Sequence, residues 1–334
     1  MAMAVSTKPN VKLKLDPKSP PKSQRSHRPL AQRAGALSVR EPDHEAFGLE
    51  PPPTRGDIAR MMSATAVRTL KDHSGDAETV DAVCERWASL AGKNVASRQE
   101  AAASGAIPAI VEAMGKHAAN PQLIEKTIGA LGNLVCGTDE EGLGRKQLAA
   151  DSGVMEAVIE GMKAHSTVSG VQANGGATLG NVASNVDAPG LARKHKAVKA
   201  GAIEGLVAAL TTHKLDGAVV DCCCFALGNL VRSRGDQAED ADGDLRKQSA
   251  VDAGAIPALA AAMNAHMDKP RVQDSGSRAI ANITFRNDAF KAMAVEAGKA
   301  VGLEKEAADW LEGACTARIF VPDKERENAE VEVS

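Results

Sequence analysis

Apolar positions along the central part of the chain recur in blocks that begin with a glycine. The stretches GAIPAIVEAM from Gly105 and GAIEGLVAAL from Gly201 both place apolar residues at helical spacing. Similar stretches begin at Gly153 and Gly254, so the glycines lie 48, 48 and 53 residues apart. A fixed spacing in this range predicts a stack of helical repeats.

Each block keeps one internal register, in which His follows the glycine by 12 residues, Leu or Ile by 26 and Asn by 28. The apolar spacing predicts three helices per unit: a short one before the glycine, a second ending at the His, and a third carrying the Asn. The glycine permits a sharp turn at positive φ between the first two helices. The repeated residues are His117, His165, His213 and His266; Leu131, Leu179, Leu227 and Ile280; and Asn133, Asn181, Asn229 and Asn282.

The pattern divides the chain into three parts and predicts an all-α fold. Residues 1–56 are rich in Pro, Ser, Lys and Arg, which predicts a disordered basic arm. Residues 57–321 hold the repeats, with an atypical first unit near Met61 and a cap from Gly298. Ser89 fills the Asn position of the first unit, and residues 322–334 form an acidic tail that we expect to be disordered.

Composition and charge indicate what the core is made of and where in the cell the protein is expected. The chain is 43% hydrophobic but only 2% aromatic, so its core must use small aliphatic side chains that let helices pack closely. The six cysteines include no C-x-x-C pair, and no signal peptide is evident, which favours buried, reduced thiols in an intracellular, most simply cytoplasmic, protein. Residues 1–40 carry +8 although the whole chain carries −3, so the arm could be an organelle or nuclear signal, an anion-binding tail or a solvated segment.

The segments GALGNLV and FALGNLV, together with the glycine-led stretches, make residues 57–320 resemble armadillo repeats, with HEAT repeats as the runner-up. The resemblance implies a right-handed superhelical solenoid, with atypical capping repeats, whose third helices line a concave groove. That groove would bind an extended peptide or a helix of a partner protein. The resemblance assigns partner binding to Asn133, Asn181, Asn229 and Asn282, to Ser89 as a partial match, and to the groove neighbours Phe225 and Arg278.

Two features qualify this assignment. Each Asn could instead bond only the backbone of a neighbouring helix. Nuclear-import adaptors carry Trp four residues before this Asn, whereas this chain has Gly129, Ala177, Phe225 and Arg278 there, so import-receptor activity is not expected.

Basic pairs recur eight residues before three of the repeat glycines. They could mark the solvated start of each short helix or form a basic ridge for an acidic partner or phosphates. The histidines are expected at the ends of the second helices, near the last carbonyls, because units about 10 Å apart cannot bring them to one metal. The pairs are Arg145 with Lys146, Arg193 with Lys194, and Arg246 with Lys247.

The sequence carries no recognisable catalytic or metal-binding signature. No P-loop, H-E-x-x-H motif or nucleophile–base pair is present, and the acidic stretch DADGD fails the spacing of a calcium loop. We therefore expect no enzyme activity, cofactor, metal or small-molecule substrate, and neither a membrane span nor nucleic-acid binding. The sequence favours a protein-interaction scaffold, with a structural subunit of a larger assembly as the alternative.

Overall fold

The computed structural model describes residues 51–234 and 240–303, and all its regular elements in these ranges are helices. The all-α prediction is therefore confirmed for the described part of the chain. The predicted arm up to residue 50 and the predicted tail lie outside the described residues, as does most of the cap. None of the described helices is long and apolar enough to cross a membrane.

Sixteen helices occupy the described ranges. They are α1 (Arg55–Ile58), α2 (Ser63–Asp72), α3 (Ala77–Lys93), α4 (Val95–Ala103), α5 (Ala106–Lys116), α6 (Pro121–Leu134), α7 (Glu140–Asp151), α8 (Val154–Ala164), α9 (Ser169–Val182), α10 (Ala188–Lys199), α11 (Ala202–Thr212), α12 (Gly217–Val231), α13 (Gly243–Asp252), α14 (Ala255–Asn264), α15 (Pro270–Thr284) and α16 (Asp288–Ala300).

Helices α4 to α15 form four units of three helices, as the register predicts. The apolar spacing predicts third helices over about 122–136, 170–184, 218–232 and 271–285, and α6, α9, α12 and α15 lie within two residues of these bounds. The first helices begin three to five residues before their predicted starts at Arg98, Arg145, Arg193 and Arg246. Helix α7, for example, starts at Glu140 because the carboxylate of Asp139 accepts a hydrogen bond from the backbone N–H of Gly142 at 2.7 Å.

The repeat glycines adopt the predicted turn, since φ is +89° at Gly105, +79° at Gly153, +91° at Gly201 and +79° at Gly254. A further glycine of this kind is Gly302, with φ of +82°, and it lies 48 residues after Gly254. The predicted start of the cap at Gly298 is therefore wrong. Gly298 is buried inside α16, which continues to Ala300 before the turn.

The first unit begins slightly before the predicted boundary at residue 57. Helix α1 begins with a capping box, in which the side chains of Thr54 and Asp57 accept hydrogen bonds from each other's backbone N–H groups. Helices α2 and α3 then supply the atypical unit. The sequence missed α1 because the preceding Pro51–Pro53 obscured its start.

The third helices form the centre of the stack, with α3, α6, α9, α12 and α15 each packed on the next. Every side chain of the repeated Leu or Ile row is at most 1% exposed, which confirms that this row is core. Cys84 and the run Cys222–Cys224 are free and buried as predicted, Cys136 is free and half-buried, and Cys315 lies outside the described residues. Burying the row between successive helices removes apolar area from water and stabilises each junction.

Glycines allow the close approach of α6, α9 and α12. A Cβ atom added to Gly176 would lie 3.0 Å from the backbone carbonyl carbon of Cys222, and one on Gly132 would lie 2.6 Å from Thr178 Oγ1. Backbone cannot yield to such a contact as a flexible side chain can. The glycine-rich composition of α9 therefore reflects helix packing rather than flexibility.

Candidate partner-binding site

The repeated Asn lies on one side of the third helices, which we call the third-helix stripe. This side is accessible on α12 and α15 and is buried at Gly129, Asn133 and Ala177 on α6 and α9. In α12 the only residues between Val219 and Val231 that are not buried are Asp221, Phe225 and Asn229. Their four-residue spacing places them on one side of the helix. The predicted groove residues of this unit therefore lie on the one side of α12 that is accessible between Val219 and Val231. Across the units, we define the stripe as the Asn position and the positions four and eight residues before it.

The Asn amides also bond the neighbouring helix. Asn229 Nδ2 donates to the carbonyl of Gly180 at 3.0 Å, and Asn282 Nδ2 donates to that of Gly228 at 3.0 Å. Asn181 Nδ2 donates to the corresponding carbonyl of Gly132 at 3.3 Å. These carbonyls lie in the last turn of the preceding third helix, where no intrahelical N–H is available. Each of these three Asn residues therefore helps to hold two units together, whatever else it contacts.

Changing Asn181 and Asn229 together to Ala should destabilise the fold. We expect the free energy of unfolding to fall by about 1 kcal/mol for each lost hydrogen bond, because a part-buried carbonyl loses its donor in each case. Asn264→Ala is the matched control, since Asn264 is exposed and its side chain makes no hydrogen bond to the described residues. Thermal melts that are unchanged in the double variant would contradict this role.

The other predicted groove residues do not form one cluster but lie at successive levels of the stack. Ser89 is exposed on α3, whereas Asn133 is only 7% exposed on α6. The half-buried ring of Phe225 lies against Gly180, where an added Cβ would be 2.5 Å from the ring Cδ1 atom. Arg278 is half-buried and pairs with Asp274, one turn earlier on α15.

The basic pairs are buried, so the expectation of an exposed ridge, or of a solvated helix start, is wrong. Arg145, Arg193 and Arg246 are each 2% exposed. Each donates through Nε to a carbonyl at the end of the preceding third helix, at 2.9, 2.9 and 3.0 Å respectively. Arg98 is buried as well and bonds the end of α3 in the same way. A cation is favourable at this negative end of a helix.

The lysine of each pair bonds a residue just after the third helix of its own unit, whereas the arginine bonds the third helix of the preceding unit. Lys194 Nζ donates to the carbonyl of Arg232 at 2.9 Å, just after α12. Lys146 Nζ donates to Ser184 Oγ at 2.6 Å, and Lys247 Nζ to the carbonyl of Phe285 at 3.2 Å. Each basic pair therefore links two successive third-helix ends. Burial, and then the nearby Arg232, hold the pKa of Lys194 well below its usual value.

Three of the histidines, His117, His165 and His213, cap the second helices as predicted, but their bonds run between units. His165 Nε2 is 2.8 Å from the carbonyl of Ala118, and His213 Nε2 is 2.8 Å from that of Ser166. Since a carbonyl oxygen only accepts, Nε2 carries the proton in each case. Their expected contact with the carbonyls of their own helix is replaced by one with the loop of the preceding unit. His266 differs, because its Nε2 atom is buried without a partner in the described part of the chain.

Sequence reasoning missed further polar links on α9. Asn174 Nδ2 donates to the carbonyl of Glu125 at 3.0 Å, and Thr178 Oγ1 donates to that of Ile128 at 3.1 Å. Both residues are buried on α9. The polar residues Asn174 and Thr178 on a core helix could have indicated these links, because a buried polar group needs a hydrogen-bond partner.

Comparisons with known proteins bear on the fold. No protein-family model matches the sequence, and no curated protein matches it. Among solved structures, the chain is similar to the crystal structure of an engineered protein, a target of the Northeast Structural Genomics Consortium. The TM-score is 0.60 at 23% identity, over 76% of this chain and 99% of that one. At that identity the similarity concerns the fold alone, an all-α stack of helices.

Proposed function

We propose that the chain is an armadillo-type repeat protein that binds an extended peptide or a helix of another protein along the third-helix stripe. The observation that carries the proposal is that α12 is buried from Val219 to Val231 except at Asp221, Phe225 and Asn229. Support for the repeat type comes from the three-helix unit, the glycine turn and the position of the Asn on the third helix.

The composition of the stripe suits a binding face. Its Asn is the same in four units, whereas the residue four positions earlier is Gly, Ala, Phe or Arg. The half-buried Asn181, Asn229 and Asn282 can contact a partner's backbone, while Phe225 and Arg278 can select its side chains. Asn181, Asn229 and Asn282 use Nδ2 within the stack, and each amide oxygen remains able to accept a backbone N–H.

A crosslinking comparison between two positions of the chain tests this proposal, whichever protein the partner is. Phe225→benzoylphenylalanine extends the half-buried ring at its para position with a photoreactive benzoyl group on the stripe. Glu160→benzoylphenylalanine is the control, because Glu160 lies on the second helix α8 with its side chain 76% exposed. After irradiation in cell extract, we expect discrete protein adducts from position 225 and few from position 160. Adducts of similar yield from both positions would favour a structural subunit that is enclosed by its assembly.

A further inference from the structure

We draw no further inference here: the strongest candidate, the exposed apolar patch of Leu215 and Met267 on the turns that follow α11 and α14, beside an open cavity that Leu215 and Lys269 help to line, carries nothing because no feature of the described residues shows what covers it.

Discussion

Leu227→Ala should lower the free energy of unfolding by about 2–5 kcal/mol. Leu227 is fully buried on α12, which packs against both α9 and α15. Removing its isobutyl group loses apolar burial and leaves a cavity, because closely packed neighbouring helices can collapse only in part. Chemical denaturation monitored by circular dichroism measures the change. Leu131, Leu179 and Ile280 should behave in the same way, since they are equally buried.

The chain offers a matched control for this substitution. Leu215 is 76% exposed in the turn before α12, so Leu215→Ala removes the same atoms from a solvated position. We expect its effect to stay within about 0.5 kcal/mol. Similar losses at positions 227 and 215 would show that the Leu row is not the core of the stack.

Raising the pH from about 8 to about 10 should remove roughly 5 kcal/mol of stability through the four buried thiols of Cys84, Cys222, Cys223 and Cys224. Burial raises the pKa of Cys84 from 9.0 to about 12 and that of Cys222 to about 12, and it raises the pKa of Cys223 and Cys224 further. In the unfolded chain these thiols ionise near 9.0, so the unfolded state loses protons that the folded state keeps. The stabilisation is complete below that pH and is lost as the pH rises.

The measurement compares two proteins, because Lys194 acts in the opposite direction. Its pKa is lowered in the fold, so its contribution to stability improves as the pH rises towards the usual value of 10.5. Denaturation at both pH values should show that Cys84→Ala/Cys224→Ala loses roughly 3 kcal/mol less than the unchanged chain. An identical pH dependence in both proteins would mean that these thiols ionise freely in the folded state.

The sequence predicted the second and third helices well because their determinants are local. Glycine at positive φ and apolar residues at helical spacing act within one unit, so Gly105 and the row that includes Leu227 were placed correctly. The cap was misplaced at Gly298 although the repeat spacing of 48 residues points to Gly302. Both glycines are in the sequence, and Gly298 was preferred because it is the first glycine after Asn282.

The burial of the basic pairs depends on contacts between units, which no single unit contains. The charges of Arg193 and Lys194 predict solvent exposure. In the structure both are buried, because they bond carbonyls at the C-terminal ends of two different helices. The partners of Arg193 and Asn229 likewise lie in the preceding unit. Such bonds follow from stacking, whereas a repeated sequence position shows only that the residue is needed in every unit.

The yield of photo-crosslinks at position 225 relative to position 160 tests the central claim most directly. If the third-helix stripe is the binding face, the yield of adducts from Phe225→benzoylphenylalanine should exceed that from Glu160→benzoylphenylalanine several-fold. Both variants should keep the helical circular dichroism signal of the unchanged chain. Adducts that form mainly at position 160, with position 225 silent in a folded protein, would contradict the account.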